Sequence, residues 1–415
     1  AVSADVFALF LQAVILGIAV VSVLLSPSYL RANGGERGEF YALLLMSVVG
    51  MLGLVSSLEL VSLFVALEIM SIALYAMAGM IRGRPESQES ALKYFVTGAF
   101  SSAFLLYGIA LLYGVSGSTS LARVELAIGS LSSETAGLAV LGAGMLLVGF
   151  GFKIASVPFH MWAPDVYEGA PTTATALMSA GVKAAAFGAL LRVFGSALPD
   201  LAGDWKPLVA ALAAVTMVGG NLGALAQGNL KRMLAYSSVA HAGYVLVALV
   251  AAPRFAGEAI LFYLVAYGAV NLGAFGTIAA LSRDGREPLS LNDVAGLAER
   301  RPALAAALTV FLVSLTGIPI TAGFVGKFYL FNAAVSSGWV WLALVGVVMS
   351  VVSAYYYLRV VVAMYMRDPV GEDPWAPVSP ASRLALGISV ALTLFLGVYP
   401  APLLDLARAA ARSLL

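Results

Sequence analysis

Long apolar stretches alternate with short polar ones along almost the whole chain. Most of them hold roughly 20 residues, the length that an α-helix needs to cross about 30 Å of hydrocarbon. The pattern predicts twelve membrane spans, at 5–26, 40–56, 59–80, 91–114, 136–161, 171–194, 207–226, 233–250, 258–281, 302–334, 338–365 and 382–400. We therefore predict an all-α membrane protein that forms a single polytopic domain over residues 1–415.

Two of the predicted spans contain residues that interrupt a helix. The stretch "VGFGFKIASVPFHMWAPDVYEGAP" begins as continuous hydrocarbon and then carries Lys153 and Pro158. The segment 302–334 is too long for one ordinary span and contains a proline and several glycines. Irregular backbone at membrane depth is tolerated where it lines a water-filled cavity. Both segments are therefore predicted to be broken helices, whose freed carbonyl groups hold water beside Lys153 and Lys327.

The chain also repeats itself. Residues 91–113 align with residues 259–281 at an offset of 168 residues, and the same offset carries Lys153 close to Lys327. Both broken helices and their lysines are therefore expected at matching places in two copies of five spans each. An odd number of spans inverts the second copy, as in many transporters. The predicted units are a first repeat at about 40–194, a second at about 207–365, and peripheral helices at 1–26 and 382–415.

The composition excludes an ordinary soluble domain. Hydrophobic residues make up 61% of the chain and charged residues 11%, with a mean hydropathy of +0.95; soluble domains carry about twice that charged fraction. The net charge of +1 leaves no basic surface for a nucleic acid. Cysteine is absent and histidine occurs twice, which excludes thiolate-held clusters, disulfides and c-type haem attachment. Neither a cofactor nor a metal site is expected on this chain, and any redox chemistry is expected on another.

The distribution of Lys and Arg predicts the orientation in the membrane. With twelve spans, alternate loops fall on two sides, which carry twelve and six basic residues. The positive-inside rule places the more basic side in the cytoplasm and both termini outside. Residues 1–26 lack a basic start and a cleavage site, so we do not predict a signal peptide, and the initial Ala leads us to expect further residues upstream.

Arg192 and Arg383, at the ends of two predicted spans, are counted with the loops, and five other basic residues fall inside the spans: Lys93, Lys153, Lys183, Lys327 and Arg359. A Lys near the bilayer centre costs at least ~2.5 kcal/mol on insertion scales, so several of them indicate an ion or proton path. Lys also differs from Arg here, because a desolvated ammonium can lose its proton near neutral pH and a guanidinium does not. Lys93 and Arg359 lie near span ends, where their side chains could instead reach the membrane surface.

One carboxylate and two histidines are candidates to act with these lysines. Glu68, in "LFVALEIMSIALYAMAG", lies deep in the third span and is predicted to keep a nearby Lys charged, so that loss of this interaction would release a proton. His160 and His241 are candidate relays, although a neutral His bonded to a backbone carbonyl fits the sequence equally well. Alternatively, Glu68 and the buried lysines form static ion pairs or line a static hydrated cavity, and they do not conduct ions or protons.

Four stretches carry a resemblance to a known family. They are "PFHMWAPDVYEGAPTTATALMSAGVKAAAFG", "NLKRMLAYSSVAHAGYVLVAL", "DVAGLAERRPALA" and "TGIPITAGFVGKFYLF". Together they resemble subunit N of bacterial respiratory complex I, the NADH-quinone oxidoreductase, and the resemblance extends over essentially all 415 residues. The motif "WAPDVYEGAP" favours subunit N over its paralogues M and L and over Mrp-type cation/proton antiporters.

The resemblance implies an antiporter-like subunit that translocates protons in the membrane arm of this enzyme. Quinone reduction in other subunits would drive it, and flavin, iron–sulfur clusters and quinone would bind to those subunits. The expected partners are other membrane-arm subunits, including paralogous antiporter-like ones, and lipids. The expected location is the bacterial inner membrane, with both termini on the periplasmic side.

The same resemblance assigns roles to individual residues. Glu68 matches the family's Glu of the first repeat, and Lys153 matches its partner on the broken helix. Lys183, in "GVKAAAFG", matches the central connecting Lys, and Lys327, in "GKFYLF", matches the Lys of the second broken helix. Lys93 matches a further family lysine. Bacterial members usually have fourteen spans, so two helices ahead of residue 1 are expected to be absent here.

Two other functions remain open at this stage. A subunit of an Mrp-type cation/proton antiporter would need a carboxylate-rich site, against which the predominance of lysine argues. A scaffold that assembles the membrane arm without conducting would tolerate Lys153→Ala.

Overall fold

The structure is a computed structural model, which describes residues 2–131, 133–369, 373 and 375–414, apart from the side chains of residues 133, 134, 253 and 254. Within these residues the chain is built from helices, and only isolated β-bridges pair extended segments. The helices are α1 Val6–Ala32, α2 Gly38–Ser56, α3 Leu60–Ala78, α4 Pro85–Ser116, α5 Leu121–Ile128, α6 Ser133–Ile154, α7 Trp162–Gly169, α8 Thr172–Leu177, α9 Lys183–Arg192, α10 Ala202–Leu225, α11 Leu230–Leu249, α12 Pro253–Leu281, α13 Leu297–Arg300, α14 Pro302–Thr316, α15 Ala322–Ser336, α16 Val340–Met366, α17 Pro380–Val398 and α18 Ala401–Arg412.

Ten helices in the described part of the chain are long and apolar enough to cross a membrane. They coincide with ten of the twelve predicted spans. The remaining two predictions correspond to α11, which has serines and a histidine in its middle, and to the segment 302–334, which is divided between α14 and α15. The all-α membrane fold is therefore confirmed, whereas the count of about twelve spans is not.

Two contacts in the first half of the chain occur again in the second half, 170 residues later. The isolated bridge between Glu59 and Ser120 has a counterpart 170 residues later, between Asn229 and Ser290. Packing between neighbouring helices repeats in the same way, since Gly50 lies against Met70 and Gly220 against Ala240. These contacts agree with a two-copy arrangement, and the exact boundaries of the copies stay a prediction.

The two helix breaks do not fall at matching places. The first separates α6 from α7, and the second separates α14 from α15. Lys153 lies on the half helix before its break, whereas Lys327 lies on the half helix after its break. The prediction of matching places was therefore wrong. The reason is length: α6 has 22 residues and α14 has 15, so the second break comes about two turns earlier along its helix.

Both breaks use backbone conformations that are uncommon for residues with a Cβ atom. Ala155 has a φ of 58° and Ile320 a φ of 73°, both in the left-handed region. The second break packs closely against Gly397 of α17. A Cβ atom at that glycine would lie only 2.2 Å from the carbonyl oxygen of Ile320. The contact with α17 therefore holds the second break in place.

One helix forms the centre of the molecule. A π-helical turn, Met178–Val182, joins α8 to α9, and a second one, Val193–Ala197, follows α9, so that the helix is continuous over residues 172–197. Its most apolar window is 100% buried, and that of the neighbouring α12 is 94% buried. Side chains on this central helix therefore face other helices and not lipid.

Candidate functional site: a line of buried lysines

Lys153 is the buried amine of the first broken helix. Its side chain is 2% exposed, and its Nζ donates hydrogen bonds to Ser71 Oγ at 2.7 Å and to the Tyr75 hydroxyl at 3.1 Å. The rings of Tyr75 and Tyr94 lie 5.3 and 5.8 Å from the same nitrogen, within the range of cation–π attraction. Neutral oxygens and aromatic faces therefore surround this amine.

Glu68 lies on the same face of α3 as the groups that bind Lys153. Ser71 and Tyr75 follow it by three and seven residues, which is about one and two helical turns. The half-buried carboxylate accepts a hydrogen bond from the Ser102 hydroxyl. Lys153 is therefore hydrogen-bonded to α3 through Ser71 and Tyr75. Glu68 lies on the neighbouring turns of α3 and does not accept a hydrogen bond from Lys153.

Lys183 occupies the middle of the central helix. It directly follows the π-helical turn Met178–Val182, a local irregularity that is frequent at functional sites. Its side chain is 2% exposed, and its Nζ donates to the backbone carbonyl of Ser238 on α11. The ring of Tyr267 on α12 lies 5.7 Å from this nitrogen. This amine is thus also held by a neutral oxygen.

Lys327 is bound by the end of a half helix. Its Nζ donates to the carbonyls of Leu315 at 2.9 Å and Thr316 at 3.0 Å, the last two residues of α14. A helix C-terminus carries partial negative charge and attracts a cation. The Tyr244 ring lies 4.7 Å from the amine. Interrupting the helix therefore supplies the acceptors for this lysine.

His241 lies between Lys183 and Lys327. Its Nδ1 is hydrogen-bonded to the Tyr263 hydroxyl, and its Nε2 lies 3.3 Å from the Tyr357 hydroxyl. The ring of Tyr267, which faces Lys183, lies 5.1 Å from the imidazole ring. Both ring nitrogens of His241 therefore face tyrosine hydroxyls, and neither is bonded to a backbone carbonyl as the alternative had predicted.

A chain of side chains continues from His241 towards Lys327. The Tyr356 hydroxyl, next to Tyr357 on α16, donates to Asn221 Oδ1 at 3.0 Å, and Asn221 Nδ2 donates to the Tyr244 hydroxyl at 3.2 Å. Tyr244 is the residue whose ring faces Lys327. Polar contacts thus connect the surroundings of the two lysines.

His160 follows Lys153 by seven residues in the chain. It is half-buried in the first break, its ring is 6.2 Å from that of Tyr236, and its Nδ1 has no hydrogen-bond partner in the described part of the chain.

Lys93 lies at the protein surface, near the N-terminal end of α4. Its side chain is 42% exposed and forms ion pairs of 2.6 Å with both Glu89 and Asp165. Arg232 pairs with Asp165 at 2.7 Å. Burial raises the pKa of Asp165, but the hydrogen bonds from Lys93 and Arg232 outweigh it and hold that pKa below its usual value. The contacts of Lys93 are those of a surface lysine.

Several polar residues in this site were not singled out from the sequence. Ser71 and Tyr75 could have been found, because they share a helical face with Glu68. Tyr263 and Tyr357 gave no such signal, since tyrosine is common in apolar spans and their partner, His241, lies on a different helix from either of them.

The family of the chain follows from comparison with known proteins. Residues 57–353 match the family described as NADH:quinone oxidoreductase/Mrp antiporter, TM. NADH-quinone oxidoreductase subunit N of Trichlorobacter lovleyi is 46% identical over 408 residues, covering 98% of this chain and 84% of that protein. The corresponding subunit of Chloroflexus aggregans is 45% identical and covers 97% and 83%.

Solved structures give the same result for the fold. A chain of respiratory complex I from Thermus thermophilus with bound aureothin is 41% identical, with a TM-score of 0.78 and coverage of 94% and 86%. A chain of the Mrp complex from Dietzia is 23% identical, with a TM-score of 0.86 and coverage of 98% and 83%, and so shares the fold. The chain is a multi-pass membrane protein that belongs to the NADH-quinone oxidoreductase subunit N family, within the wider NADH:quinone oxidoreductase/Mrp antiporter family.

Proposed function

We propose that this chain is the antiporter-like subunit that translocates protons in the membrane arm of an NADH:quinone oxidoreductase. The observation that carries the proposal is the set of three buried amines, on Lys153, Lys183 and Lys327, whose hydrogen-bond acceptors are hydroxyl and carbonyl oxygens. A buried Lys fixed by a hydrogen-bonded carboxylate would remain charged. Amines held by neutral oxygens are free to exchange protons.

The proposed route passes along Lys153, Lys183 and Lys327. Glu68 stabilises the charged form of Lys153 from the neighbouring turns of α3, and His241 with its tyrosines connects the regions of Lys183 and Lys327. A change of charge at one member alters the proton affinity of the next. His160 is a further candidate relay at the first break.

A groove of about 610 Å³ runs beside Lys327 between α15 and α16. Most of its lining is apolar and faces outwards, for example Leu344, which is 60% exposed, and Val351, which is 71% exposed, so it is lipid-facing surface and does not provide an exit for protons. The loop between these helices lies on the side that the positive-inside rule assigns to the periplasm. Both termini of the chain lie on that side in this proposal, and the membrane is the bacterial inner membrane.

The energy for translocation must come from partner subunits. Moving one proton against ~150 mV requires roughly 3.5 kcal/mol. This proposal therefore places flavin, iron–sulfur clusters and quinone on other subunits, gives this chain no redox step, and makes other membrane-arm subunits, including antiporter-like paralogues, its direct partners. Co-purification with flavin- and cluster-bearing subunits after mild detergent extraction tests this assignment, and an Mrp-type antiporter would lack them.

Replacing Glu68 with glutamine tests the proposed function directly. The amide oxygen of Gln still accepts the Ser102 hydrogen bond, but the negative charge near Lys153 is lost. We expect a roughly tenfold decrease in protons translocated per NADH oxidised in proteoliposomes, with normal assembly on a native gel. Glu68→Asp keeps the charge and is expected to retain part of the activity. Unchanged pumping in Glu68→Gln would remove Glu68 from the route.

Lys93 is expected to matter much less than Lys153. Exposed ion pairs contribute about 0–1 kcal/mol, and the Lys93 amine lies at the membrane surface. Lys93→Met should therefore keep most of the proton pumping, whereas Lys153→Met should lose most of it in the same assay. A loss in Lys93→Met equal to that in Lys153→Met would return Lys93 to the route.

A further inference from the structure

A second outward-facing groove, with a volume of about 730 Å³, lies between α14 and α17. Leu304 and Leu386 line it and are buried, at 8% and 5% exposure. Four other lining residues are small and leave the space open: Ala303, Ala307, Gly387 and Ala391. Apart from two arginines at one end, the lining is apolar, so hydrocarbon fits along most of the groove.

The two arginines stand where both helices begin. Arg301 immediately precedes α14, and Arg383 lies in the first turn of α17. Arg301 donates to the carbonyls of Trp375 and Ala376, shortly before α17, each at 2.9 Å, and so ties the two helix starts together. The N-termini of α14 and α17 therefore meet at this end of the groove, where their partial positive charge adds to that of the arginines.

One of these arginines pairs with a carboxylate and the other does not. Arg301 pairs with Asp373 at 2.8 Å. Arg383 is exposed, and within the described part of the chain its Nε donates to the Val378 carbonyl at 3.1 Å, while no carboxylate lies within 4 Å of its guanidinium. This end of the groove therefore carries a positive charge that the described residues do not neutralise.

A phosphate group attached to a hydrocarbon chain matches both parts of this groove. A guanidinium binds phosphate oxygens through two parallel hydrogen bonds, and helix N-termini also attract anions. Basic pockets between transmembrane helices on the cytoplasmic side bind anionic lipid headgroups, and the proposed topology places this end of the groove on that side. From Arg383 to Ala391, α17 advances about 12 Å, so the groove accommodates the part of an acyl chain nearest the headgroup.

We propose that the groove between α14 and α17 binds one anionic phospholipid. Its phosphate lies at the Arg383 guanidinium, and one acyl chain runs along Gly387 and Ala391. Arg301 is already bonded to Asp373 and to two carbonyls, so it holds the two helix starts in place and Arg383 supplies the contact with the headgroup. The inference does not rest on the proposed function.

The bound lipid contacts the two helices that hold the second break. The last carbonyls of α14 bind the Lys327 amine, and Gly397 of α17 packs against the backbone of Ile320. An acyl chain between these helices fills space that their small residues leave empty. It therefore helps to fix their separation on the side of the break that is nearest the headgroup.

Photocrosslinking of the assembled complex in proteoliposomes tests the site. The probes are phosphatidylglycerol and phosphatidylcholine, each with a diazirine on one acyl chain, and mass spectrometry locates the labelled peptides. We expect phosphatidylglycerol to label α14 and α17 about fivefold more than phosphatidylcholine does. Arg383→Gln should remove this preference, because the attraction of one arginine for an anionic headgroup corresponds to about that change in affinity.

Two further variants show whether the label reports the groove. Arg82→Gln is the matched control, since Arg82 is an exposed arginine in the loop between α3 and α4 and does not line the groove, and it should label as wild type does. Gly387→Leu fills the groove, and labelling by both lipids should fall. Nothing lies within 4 Å of the position that a Cβ atom on Gly387 would take, so this variant should assemble normally on a native gel.

Three results would overturn the site. Equal labelling by the two lipids would make the groove ordinary lipid-facing surface. Absence of label from α14 and α17 with either lipid would show that a partner subunit covers the groove. An unchanged preference for phosphatidylglycerol in Arg383→Gln would place the headgroup elsewhere. Proton translocation is measured separately, so each of these results leaves the proposed function standing.

Discussion

Lys183→Arg is expected to stop proton translocation nearly as completely as Lys183→Ala, with a decrease of at least about tenfold. Arginine preserves the positive charge, but a guanidinium does not release its proton at any pH that the protein experiences. Lys183 is buried at the centre of the molecule and donates to a backbone carbonyl, so no carboxylate there requires a permanent cation. Protons translocated per NADH oxidised in proteoliposomes are the measurement, with assembly checked on a native gel.

The control for this substitution is a lysine away from the route. Lys206, near the start of α10, is half-buried and donates to the Ala251 carbonyl at 3.3 Å, so Lys206→Arg makes the same chemical change at the membrane surface. It should leave pumping unchanged. A fixed electrostatic role for Lys183 predicts the opposite order, with arginine as a good substitute and alanine as a poor one. Wild-type pumping in Lys183→Arg is incompatible with a relay.

Gly323→Ala is expected to prevent assembly of the complex. A Cβ atom at this position would lie 1.8 Å from the carbonyl oxygen of Ser314, so α14 and α15 would have to separate at the second break. Overpacking of this kind typically costs about 1–3 kcal/mol, and contact with rigid backbone places this site at the upper end. The readouts are the amount of assembled complex on a native gel and its melting temperature.

Gly137→Ala is the matched control for that variant. Nothing lies within 4 Å of the position that its Cβ atom would take, and the residue lies within α6. Alanine favours a helix over glycine by up to about 1 kcal/mol, so this change should be neutral or slightly stabilising. Equal assembly of the two variants would show that the second break tolerates an added methyl group.

The sequence was sufficient to predict that three lysines within the spans are buried, but not that Lys231, which precedes a predicted span, is 1% exposed. Lys153, Lys183 and Lys327 stand in apolar stretches that need about 20 residues to cross a bilayer, and an amine in the middle of such a stretch has no route to water along its own helix. Lys93 was placed near a span end by the sequence, and it lies near the N-terminal end of α4, where it pairs with Asp165 from a different helix. The pattern along one helix does not show what the next helix presents.

Sequence reasoning did not identify the partners of the lysines, although Ser71 and Tyr75 share a helical face with Glu68 and could have been found. Pairing Glu68 with Lys153 follows from charge alone, whereas the structure places Ser71 and Tyr75 at the amine. The acceptors of Lys327 are backbone carbonyls, which every residue has and which become available only where α14 ends. The position of that end depends on helix length, and a constant offset between repeats could not predict it.

The unequal position of the two breaks determines how the lysines are anchored. In an inverted repeat, lysines at matching places would be carried by half helices attached to opposite faces of the membrane. Lys153 lies before its break and Lys327 after its break, so in the proposed topology α6 and α15 both run to one face of the membrane, the face proposed to hold the termini. A displacement of the loops on that face would therefore carry both amines in the same direction, whereas the loops on the opposite face hold only the half helices without them.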